Sequence, residues 1–185
     1  MTSRTPLGKA AAGTIIAVLA AIVLAADQFT KHLAIDGLPP EEPVKILGDV
    51  LVFYLIRNSG AAFSLGSEVT WVFSIALAAV AVVIVFLATT RVRSRVWAIL
   101  LGLLLGGVLG NLTDRLLREP GFGVGHVVDF ISTPWMMPAI YNVADIFIVT
   151  MMIGVALLVF TGRHLDGTRE PKRADDDVDA DVTEH

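Results

Sequence analysis

Hydrophobic residues are concentrated in four long stretches of the chain that carry almost no charge. A helix that crosses the hydrocarbon core of a bilayer needs about 20 mostly apolar residues. The four stretches cover residues 10–26, 69–88, 96–112 and 140–160. The pattern therefore predicts an all-α membrane protein with four transmembrane helices.

The first stretch also has the basic flank of a secretory signal peptide, because Arg4 and Lys9 precede it. We interpret it as an uncleaved span for two reasons. Its apolar run of 17 residues is at the upper limit for the h-region of a signal peptide. The sequence DQFTKHLA that follows offers no small-x-small cleavage site.

The overall composition supports a membrane protein. Hydrophobic residues make up 55% of the chain and charged residues only 17%, whereas a soluble domain carries about 25% charge. The absence of cysteine excludes a disulfide framework, a thiol nucleophile and a cysteine-ligated metal.

The net charge of −4 originates at the C-terminus. Residues 174–185 hold six acidic and no basic residues, and the rest of the chain has 14 basic against 12 acidic groups. This balance gives no reason to expect nucleic acid binding. We predict one membrane domain over residues 1–163 and a disordered acidic tail over residues 164–185.

Lys and Arg are concentrated in three segments that lie on one side of a four-span protein. They are Arg4 and Lys9 before the first span, Arg91, Arg93 and Arg95 between the second and third, and Arg163, Arg169, Lys172 and Arg173 after the fourth. Positively charged short loops stay in the cytoplasm. Both termini and the tail are therefore predicted to be cytoplasmic, and the long loops 28–68 and 113–139 to face outward.

The first outer loop contains the run PVKIL, a turn signal at Gly48-Asp49, and the β-branched and aromatic run VLVFYLIR at residues 50–57. This order predicts a small β-hairpin at the membrane surface. The second outer loop is rich in glycine and proline and is predicted to be irregular.

Polar side chains near the spans all lie at the outer boundary. Ionisable residues at this position are costly and indicate a functional site. The polar side chains at this boundary are Asp27 at the end of span one, Asn111, Asp114 and Arg115 at the end of span three, Asn142 and Asp145 at the start of span four, and Asn58 and Asp129 in the outer loops. A transporter or channel would need polar residues at several depths, and a non-enzymatic assembly factor would not need paired carboxylates at one depth.

Carboxylates and amides are the groups that remain for chemistry at this site. The four histidines lack metal-ligand spacing, and no G-x-S-x-G or phosphate-binding loop occurs. Two carboxylates held close together share a proton, so that one acts as base on water and the other as acid toward a carbonyl. From the residues alone the pair is any two of Asp27, Asp114, Asp129 and Asp145.

Structural roles are the alternative for several of these residues. Asp145 near a helix N-terminus would be favoured there by the helix dipole, Asp129 would cap a short turn, and Asn58 in Asn-Ser-Gly is an ordinary turn former. Asp114 beside Arg115 is typical of a structural ion pair.

Five motifs occur in order along the chain: DQFTK at 27–31, RNSGAAFSL at 57–65, GGVLGNLTDR at 106–115, VVDFI at 127–131 and YNVADIFI at 141–148. Together they resemble the lipoprotein signal peptidase (signal peptidase II) family of bacterial membrane aspartyl proteases. Tyr141 and Val108 depart from the residues usual in the family.

The resemblance implies that the enzyme cleaves diacylglyceryl-modified prolipoproteins immediately before the lipidated cysteine. It implies that Asp129 and Asp145 are catalytic and that Asp114 and Asp27 are structural. By the same resemblance Arg115 holds the substrate backbone, and three asparagines, Asn58, Asn111 and Asn142, bind the peptide or orient the pair.

The same resemblance implies that the hairpin is a small β-cradle on the outer surface, and that the protein lies in the bacterial cytoplasmic (inner) membrane. We expect no cofactor and no metal. The expected partners are prolipoprotein substrates and membrane lipids, with no nucleic acid, and the expected state is a monomer.

The predicted orientation can be tested by accessibility labelling of single cysteines, because the chain has none of its own. A cysteine at position 40 should react with an impermeant maleimide in intact cells. Cysteines at positions 93 and 170 should react only after the membrane is permeabilised. Reaction of position 93 from outside would overturn the orientation.

Overall fold

A computed structural model of the chain describes residues 6–60 and 70–169. Predictions for the remaining residues lie outside the described part. They concern Arg4, the AAFSL half of the second motif, Lys172, Arg173 and the acidic residues of the tail.

Within the described residues, four helices are long and apolar enough to cross a membrane, as predicted. They are α1 (Lys9–Gly37), α2 (Thr70–Thr90), α3 (Arg95–Leu117) and α4 (Val143–Phe160).

Helix α1 continues eleven residues beyond the predicted end of its span, to Gly37. Hydropathy marks where the lipid ends, whereas a helix ends where its hydrogen bonds end. The N–H of Leu38 still bonds to Ala34 O at 3.0 Å, and the next two residues, Pro39 and Pro40, cannot extend the helix. The extension carries Lys31 and other polar residues above the membrane-spanning part.

Helix α3 is the central helix. In its most apolar stretch of 18 residues, 61% of the residues are buried inside the protein, against 6% in the corresponding stretch of α4. Glycines let its neighbours approach at backbone distance. A Cβ at Gly106 would lie 2.5 Å from Val23 Cβ on α1, and a Cβ at Gly107 would lie 2.7 Å from Ala144 O on α4. The small residues at these positions therefore allow close helix packing along α3.

A four-stranded antiparallel sheet in the order β1-β2-β3-β4, called the outer sheet here, lies at the end of the helix bundle that is predicted to face outward. The predicted hairpin forms β1 (Pro43–Leu47) and β2 (Leu51–Asn58). Of the segment 113–139 predicted to be an irregular loop, residues 113–117 continue α3 and residues 118–126 are irregular. The chain then forms β3 (Val127–Ser132) and β4 (Ile140–Tyr141). Residues 140–141 are therefore in a strand, and α4 begins later than the predicted span.

The first residues of the predicted tail pack on the connection between α2 and α3. Leu165 O accepts hydrogen bonds from the N–H groups of Arg93 at 2.9 Å and Ser94 at 3.1 Å. Residues 164–169 thus close the end of the bundle opposite the sheet.

Candidate active site

Asp129 lies on β3 and is almost fully buried. The β2–β3 register pairs Ile56 with Asp129 and Asn58 with Val127, which brings the end of β2 beside the carboxyl group. Asn58 Nδ2 donates to Asp129 Oδ2 at 2.9 Å, and Asn142 Nδ2 donates to Oδ1 at 2.7 Å. Both carboxylate oxygens are therefore fixed by amide donors.

Asp145 lies in the first turn of α4, where Asn142 is the N-cap residue. The two residues form a capping box: Asn142 Oδ1 accepts from Asp145 N at 3.0 Å, and Asp145 Oδ2 accepts from Asn142 N at 3.1 Å. Asp145 Oδ1 accepts from Asn111 Nδ2 at 2.8 Å. The capping role considered as an alternative is thus present, and it orients the carboxyl group without using all of its acceptor capacity.

Asn142 connects the two carboxyl groups. Its Nδ2 donates to Asp129 and also to Asn111 Oδ1 at 3.1 Å, and its Oδ1 accepts from the backbone of Asp145. Each of the four carboxylate oxygens accepts one hydrogen bond in the described structure, and each retains a second lone pair. The pair, here called the dyad, can therefore bind a water molecule or a substrate carbonyl.

The electrostatics of the dyad favour retention of a proton. Burial and then the negative charge of Asp145 raise the pKa of Asp129 to about 7, against the opposing hydrogen bonds from Asn58 and Asn142. A carboxyl group that holds a proton near neutral pH can act as a general acid.

The dyad opens into a pocket of about 720 Å³ between α2, α3, α4 and the outer sheet. Its polar end consists of the dyad with Asn58, Asn111 and Arg115. The other walls are mainly apolar and include Phe73, Leu77, Met136, Met137, Ile148 and Val149. The site therefore joins buried carboxylates to a hydrophobic cavity.

Arg115 holds the backbone of its own protein. Its Nη1 donates to the carbonyl oxygens of Asn58 at 3.3 Å, Ser59 at 2.9 Å and Gly125 at 3.1 Å, and its Nη2 donates to Gly60 O. Its buried Nε has no hydrogen-bond partner within residues 6–60 and 70–169.

Asp27 and Asp114 do not line this pocket. Asp27 Oδ1 accepts from Ala144 N at 2.9 Å, and Asp114 Oδ2 accepts from Val128 N at 3.1 Å. Each carboxylate thus fixes the backbone one residue before a member of the dyad. Of the four carboxylates that the sequence left open, the structure places two at the pocket and two behind it.

Sequence reasoning did not single out Lys31, Gln28 and Arg118, which surround the two rear carboxylates. Lys31 Nζ lies 2.9 Å from Asp27 and 2.8 Å from Asp114. Gln28 Nε2 donates to Asp114 at 3.1 Å, and Arg118 Nε donates to it at 2.6 Å. The available signal was the i,i+4 spacing of Asp27 and Lys31, which puts both on one face of α1.

Within the described ranges, no group of three His, Cys, Asp or Glu side chains is placed to hold a metal ion. The side-chain donors that bond directly to the two pocket carboxyl groups are the amides of Asn58, Asn111 and Asn142.

Comparison with known proteins gives a consistent result. The family model described as signal peptidase (SPase) II matches residues 19–162. A lipoprotein signal peptidase of Leifsonia xyli subsp. xyli is 49% identical over 164 residues, which cover 88% of this chain and 75% of that protein. A lipoprotein signal peptidase of Mycobacterium avium is 45% identical over 161 residues, covering 87% of both chains.

A solved structure of a bacterial membrane enzyme, obtained by the in meso method at 2.3 Å resolution, has the same fold. It aligns with a TM-score of 0.71 at 26% sequence identity, covering 86% of this chain and 95% of that one.

Proposed function

The chain belongs to the signal peptidase II family, and we propose that it hydrolyses diacylglyceryl-modified prolipoproteins at the bond before the lipidated cysteine. It is an aspartic-type protease and a multi-pass membrane protein. The observation that carries the proposal is the pair of Asp129, which is buried, and Asp145, which is partly buried; the two are connected through Asn142 and open to one pocket.

The dyad activates water without a covalent intermediate. The ionised carboxylate takes a proton from water as the water oxygen bonds to the carbonyl carbon, and the protonated carboxyl gives its proton to the carbonyl oxygen. The tetrahedral diol then transfers a proton to the cysteine nitrogen, and the C–N bond breaks. The products are a carboxyl group on the signal peptide and a free amine on the lipidated cysteine.

The apolar walls of the pocket suit a lipid-anchored substrate. Two acyl chains hold the cysteine at a fixed depth in the outer leaflet, and the polar residues of the site lie near the end of α3, at the start of α4 and on β2 and β3. The scissile bond is therefore presented at the height of the dyad. The side chains of Phe73, Leu77 and Val149 would contact the hydrophobic part of the substrate.

Arg115 and the three asparagines have supporting roles. Asn58, Asn111 and Asn142 orient the dyad through the bonds described above, and the buried Nε of Arg115, which has no partner among the described residues, is a candidate donor to a substrate carbonyl. The main role of Arg115 is to fix residues 58–60 and 125 around the pocket.

The same proposal includes the orientation. The protein functions as a monomer in the bacterial cytoplasmic membrane, with both termini in the cytoplasm and the dyad facing outward. This orientation rests on the basic residues at the ends opposite the sheet, such as Arg91, Arg93 and Arg163.

Asp129→Asn and Asp145→Asn should each lower the cleavage rate at least about a thousandfold, because one carboxyl cannot serve as both base and acid. Cleavage of a lipidated prolipoprotein by purified, folded enzyme is the measurement. The matched control is Asp36→Asn, since Asp36 is exposed at the end of α1 and pairs only with exposed His32 in the described structure. Asp27→Asn and Asp114→Asn should lower thermal stability at least as clearly as rate. Activity of Asp145→Asn within about tenfold of the parent would refute the assignment.

The pH profile of kcat should be bell-shaped when chemistry limits the rate, because the dyad must carry one proton. Since the pKa of Asp129 is raised to about 7, activity should fall as the pH rises through this value and the dyad loses its proton. At low pH both carboxyls are protonated and no base remains.

The charged groups near Asp129 are Asp145, Lys31 and Arg115. Burial and the nearby Arg115 and Arg57 lower the pKa of His126, so this histidine should not contribute the high-pH limb. His126→Gln should therefore keep the profile, and EDTA should not change it. Loss of activity with EDTA that a divalent metal restores would contradict the mechanism.

An unlipidated prolipoprotein should be cleaved at least about a hundredfold more slowly than the diacylglyceryl form, which is roughly 2.7 kcal/mol of lost transition-state stabilisation. Without the acyl chains the apolar walls stay unfilled, and the scissile bond loses an anchor of about 0.8 kcal/mol per buried methylene. The assay compares both substrates by gel shift at equal concentration in the same detergent. Equal rates would show that the enzyme does not recognise the lipid.

A further inference from the structure

We propose that Lys31 is a positioning residue that sets the arrangement of the dyad through Asn111 and through the two rear carboxylates, Asp27 and Asp114. The inference rests on the proposed catalytic role of Asp129 and Asp145. It concerns a residue that touches neither the pocket nor the dyad directly.

Every donor of the Lys31 ammonium group is used. Its Nζ lies 2.9 Å from Asp27 Oδ2, 2.8 Å from Asp114 Oδ2 and 3.0 Å from Asn111 Oδ1, and the side chain is completely buried. An ammonium group has three donors and no acceptor. Lys31 therefore has one geometry in which all three partners are satisfied.

This geometry determines which way the amide of Asn111 points. The two ends of an amide differ only in that one accepts and the other donates. Because Lys31 can only donate, Asn111 must turn its Oδ1 toward Lys31, where it also accepts from Asn142 Nδ2 at 3.1 Å. Its Nδ2 is then directed to Asp145 Oδ1 at 2.8 Å. A neutral apolar residue at position 31 would remove this constraint.

Lys31 also ties together the two elements that carry the dyad. Asp114 accepts from the N–H of Val128, and Asp27 accepts from the N–H of Ala144. These residues immediately precede Asp129 on β3 and Asp145 on α4. By bridging both carboxylates, the ammonium group holds β3 and the start of α4 relative to one point on α1.

The charge of Lys31 acts on the dyad as well. Its positive charge opposes the burial that raises the pKa of Asp129. The charged groups around Lys31 itself are Asp27, Asp114 and, through Asp114, Arg118. This set has two positive and two negative charges, so a variant that removes one of each remains balanced.

The test compares Asp27→Asn/Lys31→Met with Asp27→Asn alone. The double variant keeps an amide oxygen for the N–H of Ala144, and Asp114 keeps its ion pair with Arg118. The double variant should have a kcat at least about thirtyfold below that of Asp27→Asn, with KM within about threefold. Its high-pH limb should lie about half a pH unit or more above that of Asp27→Asn, because the cation that favoured ionisation is gone.

A second variant, Asp27→Asn/Lys31→Gln, retains an N–H donor without the charge. It should recover part of the kcat and keep the displaced pH limb. Lys45→Met is the matched control for the substitution, because Lys45 is 64% exposed and pairs with Asp49 at the tip of the hairpin. This control should leave both kcat and the pH profile unchanged.

Several results would overturn the inference. One is a kcat of Asp27→Asn/Lys31→Met equal to that of Asp27→Asn, or an effect of the added substitution on KM alone. Another is a high-pH limb that does not shift between these two variants. The last is that Asp27→Asn folds and neither double variant does. The Asp129→Asn enzyme separates this inference from the proposed function. If Asp129→Asn still cleaves substrate at a rate close to that of the parent, the catalytic role proposed for the dyad fails. If it does not cleave but the Lys31 variants match Asp27→Asn, only the role of Lys31 is rejected.

Discussion

The half of the molecule that contains the sheet and the dyad depends on the ion pairs that Lys31 makes with Asp27 and Asp114 inside the protein. Removing an ion from water costs several kcal/mol unless close partners compensate it. These partners meet only because α1 and α3 approach very closely, and glycines make that approach possible. A Cβ at Gly110 would lie 2.5 Å from Asp27 Oδ2, so a larger residue there would displace the carboxylate.

Two carboxylate pairs lie close together in this protein and differ in their partners. Asp27 and Asp114 face cations at ion-pair distance, whereas within the described residues Asp129 and Asp145 receive only amide and backbone donors. A compensated carboxylate is stable as an anion and serves as a rigid acceptor. An uncompensated pair in a buried site retains a proton and serves as acid and base. The same residue type thus supplies the frame and the chemistry.

Much of this could be predicted from the sequence, because bilayer thickness constrains apolar stretches and leaves polar residues conspicuous. The four spans and the common depth of Asp27, Asn111, Asp114 and Asp145 follow from that constraint. The strand β3 could not be predicted in this way, since its pairing with β2 joins segments about 70 residues apart, as in Asn58 with Val127. A short apolar run does not show which other strand it will pair with. Likewise, residues alone could not separate the two carboxylates proposed as catalytic from the two that bind Lys31, because the difference lies in cations contributed by other turns and helices.

The central claim is that Asp129 and Asp145 act on one carbonyl. A crystal structure with a diacylglyceryl peptide whose scissile amide is replaced by a hydroxyethylene group tests it most directly, because the hydroxyl group stands in for an oxygen of the tetrahedral intermediate. The account predicts this hydroxyl within about 2.6–3.2 Å of an oxygen of each aspartate, with Asn142 still bonded to Asp129. A hydroxyl that contacts only one of the two carboxyls, or that lies nearer to Asp27 or Asp114, would contradict it.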